Sequence, residues 1–168
     1  FGWMNLFARG LGGFMSDKFN ERMGMRGRLL IHTICLAAEG ALVLVFANTP
    51  SLAGSIVVLV FFSVFVQAAE GTSYGIVPYV NPPCTGSIAG IVGAGGNTGA
   101  VAFGMGFRQL DYKDAFTVMG CSIIGSSVLS ILIRIKGHSG LIWGQDDAAV
   151  GKGALSVPEP EEEEEEYN

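Results

Sequence analysis

Four stretches of this chain stay apolar for about the length a bilayer demands, and that narrows the fold more than any motif does. Leu29–Ala47 carries one charge, Glu39, and Leu52–Val80 carries one, Glu70. Ile88–Phe107 and Ala115–Ile133 carry none. A charge near the centre of a span is expensive, so runs this clean predict an all-α, polytopic membrane helix bundle. Spanning helices are expected near 29–47, 52–79, 88–107 and 115–135. Phe1–Met15 is apolar apart from Arg9 but too short to span. It reads as the second half of a helix whose start precedes Phe1, ending near Met15, so the chain reads as part of a longer protein.

Charge divides the chain in two. Residues 1–145 hold 9 Lys/Arg and 6 Asp/Glu, and residues 146–168 hold 1 Lys and 9 Asp/Glu. The net of +3 and the net of −8 give the overall −5. The body is too poor in charge for a soluble enzyme core and lacks the basic face of a nucleic-acid binder. From Gly137 onward Gly, Ser, Pro and Glu replace the aliphatics, with six glutamates at Glu161–Glu166. The expected division is a transmembrane region at 1–136 and a disordered acidic cytoplasmic tail at 137–168.

Orientation follows from basic residues in short loops. Lys18, Arg22, Arg26 and Arg28 form the densest basic cluster and place that loop in the cytoplasm. Asn48–Ser51 then falls outside, and Arg134, Lys136 and Lys152 put the C-terminus inside.

Catalytic chemistry has no foothold. Cys35, Cys84 and Cys121 are widely separated, His32 and His138 have no partner at ligand spacing, and no nucleophile elbow, Walker loop or H-E-x-x-H occurs. The chain calls for no metal and no cofactor.

Gly86–Gly106 has 8 glycines in 21 residues. At helical spacing Gly86, Gly90, Gly93, Asn97, Ala100 and Gly104 share one stripe, and Gly95, Gly99, Ala102 and Gly106 a neighbouring one, with Gly96 beside them. Such a surface lets partner backbones approach closely, whether as a packing motif or as the lining of a substrate path. Asn97 is the amide in the stripe and must face protein or a polar cavity.

Arg9 lies eight residues before Asp17, hence roughly 12 Å into the bilayer. A guanidinium there must face a cavity, and its parallel N–H donors suit a small planar oxyanion; the competing role is a structural ion pair to a carboxylate outside this chain. Glu39, roughly 15 Å deep, is the most central carboxylate and a candidate to carry a coupling proton, with a structural hydrogen bond as the competing role.

FARGLGGFMSDKF at 7–19, followed by AGIVGAGGNTGA at 89–100, resembles the nitrate/nitrite porters of the major facilitator superfamily. GFMSDK, Gly13–Lys18, is similar to the superfamily's G-x-x-x-D-[RK] loop signature between the eighth and ninth helices. QAAEGTSYGIVPYV at 67–80 is similar to the tenth helix of the eukaryotic members, and the glycine-rich stretch to the nitrate signature of the eleventh. The resemblance covers about residues 1–136. It implies part of the C-terminal six-helix half of a twelve-helix carrier working by alternating access. The chain would run from the end of helix eight to helix twelve, in the plasma membrane. Arg9 would be one of two arginines clamping nitrate or nitrite, the other lying in the N-terminal half. Asn97 would be a hydrogen-bond donor, and Gly86, Gly90, Gly93, Gly95, Gly96 and Gly99 the path. Asp17, Lys18, Arg22, Arg26 and Arg28 would latch the inner gate. Implied partners are the anion, a coupling cation such as the proton, the lipid bilayer and the N-terminal half, with no nucleic acid. A carrier for another small anion, an anion channel and a non-transporting sensor are the rival readings. Two departures stand out: Asn20–Glu21–Arg22 interrupts the loop signature, and Asn81–Thr85 lacks the bases that relatives often carry there.

Overall fold

In hydrocarbon a helix lets backbone polar groups find partners without water, and the chain is helical along its apolar runs. The computed structural model describes residues 2–144. In it α1 (Gly2–Met23), α2 (Met25–Asn48), α3 (Leu52–Val80), α4 (Thr85–Gln109) and α5 (Tyr112–Ser130) follow in order, with no strand among the described residues. A 3₁₀ turn, Pro82–Cys84, leads into α4.

The helix ends have local causes. Gly24 has φ 62°, a left-handed conformation that favours glycine, and it separates α1 from α2. Ser51 starts α3 by accepting a hydrogen bond from the Gly54 N–H at 3.2 Å. α5 closes in a run of serines: Ser127 donates to the Ile124 carbonyl, Ser130 to that of Ser127, and Ser130 also meets the Thr33 hydroxyl at 2.7 Å.

Two expected boundaries are corrected. α1 does not stop near Met15 but continues through the polar residues to Met23, since propagating a helix is cheap once it is nucleated. α5 stops at Ser130 rather than near 135, because Ile135 turns back and is buried with Met25, Leu29 and Ile76. Among the described residues three helices, not the four expected, are long and apolar enough to cross a membrane, namely Met25–Asn48, Leu52–Val80 and the Pro82–Gln109 segment. α5, with 19 residues and several serines, is not among them. Residues 137–144, grouped with the acidic tail by composition, pack back onto the helices, where Ser139 and Gly140 are buried. The rest of the tail lies outside the described residues.

α2 is the hub, packed against α5, α3 and α1, while α1 also packs extensively on α3. A second apolar cluster, Ile31, Cys35, Ala68 and Ala69, joins α2 to α3. α4 has no buried residue and touches α3 and α5 only lightly. The closest helix contacts are therefore elsewhere. A Cβ at Gly12 would strike the backbone of Ala68, and one at Gly71 the carbonyl oxygen of Arg9. On the other side of α2, a Cβ at Gly40 would lie 3.1 Å from the Gly120 carbonyl. Small residues thus hold α1 to α3 and α2 to α5 by direct backbone approach.

Candidate functional site

Gly12 and Gly71 bring α1 and α3 together at the level of Arg9, and the consequence is an ion pair between Arg9 Nη2 and Glu70 Oε2. The carboxylate that answers Arg9 is thus in this chain, one turn from the Gly12–Ala68 crossing. Both side chains are about two-fifths exposed, 42% and 40%, so the pair opens onto a surface instead of being sealed between helices. Two buried polar atoms beside it have no hydrogen-bond partner, Arg9 Nε and Gln67 Oε1. Gln67, Glu70 and Tyr74 recur at helical spacing and share one face of α3. Tyr74 links this face to α4, since its hydroxyl oxygen lies 3.6 Å from where a Cβ at Gly93 would stand.

Behind the pair, the imidazole of His32 is 2.9 Å from the Thr72 hydroxyl. That hydroxyl donates to the Ala69 carbonyl at 2.8 Å, so His32 Nδ1 is the donor to Thr72.

The glycine helix is placed differently from the cluster. Gly93 approaches Tyr74, but Gly86, Gly90, Gly95, Gly96 and Gly99 have nothing within 4 Å of an added Cβ. Asn97, one turn beyond Gly93, is exposed and makes no side-chain hydrogen bond to any described residue. Arg9 and Asn97 are therefore not in contact through this chain's described residues. Glu39 is half-buried on α2 and likewise has no hydrogen bond or ion pair among the described residues.

Of the basic loop, two members meet. Arg28 is buried and reaches Asp17 at 2.6 Å, the Tyr79 hydroxyl at 3.2 Å and the Ser16 hydroxyl at 3.4 Å, with its guanidinium 4.8 Å from the Tyr79 ring centre. Arg26 donates to the Gly144 carbonyl and ties the C-terminal turn to α2. Lys18 lies over the Phe14 ring of its own helix, and Arg22 is exposed.

The Asp17–Arg28 pair is lopsided: the Arg28 side chain is 8% exposed and that of Asp17 63%. Removing Asp17 leaves a buried charge uncompensated, whereas removing Arg28 leaves an acid that faces solvent. Asp17→Asn is therefore expected to lower the thermal midpoint of the full-length protein more than Arg28→Met, by a difference on the order of 1–2 kcal/mol. Unfolding curves in detergent measure it, and the opposite order contradicts the assignment.

Sequence reasoning noted Glu70 only as the charge in its run and missed Gln67 and Tyr74. The signal was there: three polar side chains at positions 67, 70 and 74, on one face of an otherwise apolar span.

No protein-family model and no solved structure matches the chain. Among curated proteins it is 37% identical over 171 residues to "High affinity nitrate transporter 2.5" of Arabidopsis thaliana, covering all of this chain and 34% of that protein. It is 35% identical over 158 residues to "Nitrate transporter 2.1" of Chlamydomonas reinhardtii, covering 89% of this chain and 29% of that protein. It is 41% identical over 103 residues to "Nitrate/nitrite transporter NrtP" of a Picosynechococcus strain, covering 61% of this chain and 19% of that protein. The chain spans about a third or less of the length of these relatives, and the match falls in their C-terminal part.

Proposed function

Because the chain belongs to the nitrate transporter family of the major facilitator superfamily, we propose that it is part of a carrier that moves nitrate, and nitrite, across the plasma membrane by alternating access. The observation that carries this reading is 37% identity to a plant nitrate transporter along the whole of this chain, Arg9 included in the matched region. Arg9 supplies a permanent charge and a planar set of donors, which match the flat, three-oxygen shape of the anion. In the whole carrier an arginine of the N-terminal half completes the clamp. Asn97 and the glycine face of α4 line the path, and the Asp17–Arg28 contact helps latch the inner end.

The carrier is proton- or cation-coupled, keeps its C-terminus in the cytoplasm, and serves nitrate uptake for assimilation. A fixed positive charge alone binds the anion alike on both sides of the membrane, so driving uptake uphill needs a second charge that comes and goes.

The decisive experiment reconstitutes the full-length protein in vesicles and follows isotopically labelled nitrate. Accumulation against a nitrate gradient under an imposed proton gradient is the expected result. Passive conductance without accumulation replaces the carrier with a channel, and indifference to nitrate with uptake of another anion replaces the substrate.

A further inference from the structure

We propose that Glu70 is the proton-coupling carboxylate of this carrier, and that Arg9 passes between Glu70 and the bound nitrate as that carboxylate takes up and loses a proton. The inference rests on the nitrate reading above and adds the group that performs the coupling.

Charge balance is the core of the argument. Arg9 and Glu70 together carry no net charge, so the pair as it stands has little to offer an anion. A nitrate seated on the guanidinium would also lie beside the carboxylate, and like charges that close repel. Adding one proton to Glu70 changes both terms. The Arg9–Glu70 ion pair breaks, the local charge becomes +1, and the guanidinium N–H groups are free to donate to nitrate oxygens. Arg9 Nε, a buried donor without a partner in the paired state, is one of them.

The new O–H on Glu70 also needs an acceptor. Gln67 Oε1, one turn away on the same helix, is a buried acceptor with no partner while Glu70 is ionised. At i and i−3 the two side chains are neighbours on the helix surface. Each orphaned atom thus gains a role in the protonated state. Reversing the step on the other side of the membrane loses the proton from Glu70, restores the carboxylate to Arg9 and expels the nitrate. One proton and one nitrate move together at this pair.

The surroundings leave Glu70 as the group placed to do this. α1 brings Arg9 to it. α2 brings Arg28, engaged by Asp17, Ser16 and Tyr79; His32, engaged by Thr72; and Cys35 and Glu39. α4 carries no charged or titratable side chain from Thr85 to Phe107, and on α3 itself Tyr74 is one turn along. Glu39 has no ion-pair partner among the described residues, so its protonation would free no cation for the anion.

The test uses the full-length protein with nitrate itself as the probe. Equilibrium nitrate binding is measured across pH, and uptake driven by a proton gradient is measured beside nitrate–nitrate exchange. Since one proton is linked to one anion, wild-type affinity should be higher at acid pH than at neutral pH, by up to about tenfold per pH unit. Glu70→Gln keeps the shape and cannot titrate. It should bind nitrate with a pH dependence reduced to about twofold or less, lose accumulation driven by the proton gradient, and retain exchange. If Glu70→Gln keeps the wild-type slope, or if Glu39→Gln flattens the slope instead, the inference is overturned. If Glu70→Gln reaches the membrane but binds no nitrate, Glu70→Asp must restore binding with its pH dependence, and failure of that variant also overturns it. Wild-type protein that binds no nitrate at any pH overturns the nitrate reading itself, before Glu70 is changed.

Discussion

Arg9→Ala in the full-length protein is expected, on the nitrate-carrier reading proposed above, to abolish nitrate binding in the range where wild type saturates, the largest functional loss of any substitution in these helices. Arg9→Lys separates two contributions. Lysine keeps the charge but not the planar fork, and losing a charge-assisted hydrogen bond costs about 1.5–3 kcal/mol, or roughly ten- to a hundredfold in affinity. Alanine also removes the charge that offsets desolvation of the anion, and it leaves the Glu70 carboxylate unopposed at the site. This makes the double variant informative. Arg9→Ala with Glu70→Gln removes both charges, so it should bind nitrate better than Arg9→Ala alone, a non-additivity expected of residues that share one site. Binding assays at matched surface expression measure all three variants. Wild-type affinity in the Arg9→Ala protein removes Arg9 from the substrate site.

The largest loss of stability is expected at Gly12 and Gly71. An alanine methyl at Gly71 would meet the Arg9 carbonyl oxygen, and one at Gly12 the Ala68 backbone. Backbone cannot rotate out of the way as a side chain can, so α1 and α3 must separate. Overpacking of this kind costs typically about 1–3 kcal/mol, and the bulk of valine raises it. Each substitution should lower the thermal midpoint in detergent, and Gly71→Val should also weaken nitrate binding, because it pushes Arg9 away from its seat. Gly90 and Gly99 meet no atom of the described residues within 4 Å, so no such penalty arises there from this chain's own helices. A Gly71→Ala protein that melts like wild type contradicts the close crossing.

The glycines therefore divide in a way that counting does not reveal. Eight in one helix make Gly86–Gly106 conspicuous, yet the glycines under steric demand are isolated ones on α1, α2, α3 and α5. A lone glycine such as Gly71 has no periodicity to announce it. Its constraint comes from a backbone 62 residues away in the sequence, and only the crossing of two helices creates it.

Much was determined along the chain itself. Hydropathy and run length are local properties, and they located α2, α3 and α4 closely enough for Leu52–Val80 to match end to end. The resemblance to nitrate/nitrite porters also rested on contiguous residues, and a plant relative 37% identical matches along all of this chain. The tertiary structure decided what depends on residues distant in sequence. It paired Arg9 with Glu70, set Gln67 and Tyr74 beside them, chose Asp17 and Arg28 out of a cluster of five, and folded Ile135 back over Met25 and Leu29. Apolar patterning states that a helix will bury a face, and many crossings bury similar area. Which backbones can touch is settled by the few places where a missing side chain allows it, and the charges then meet wherever that contact puts them.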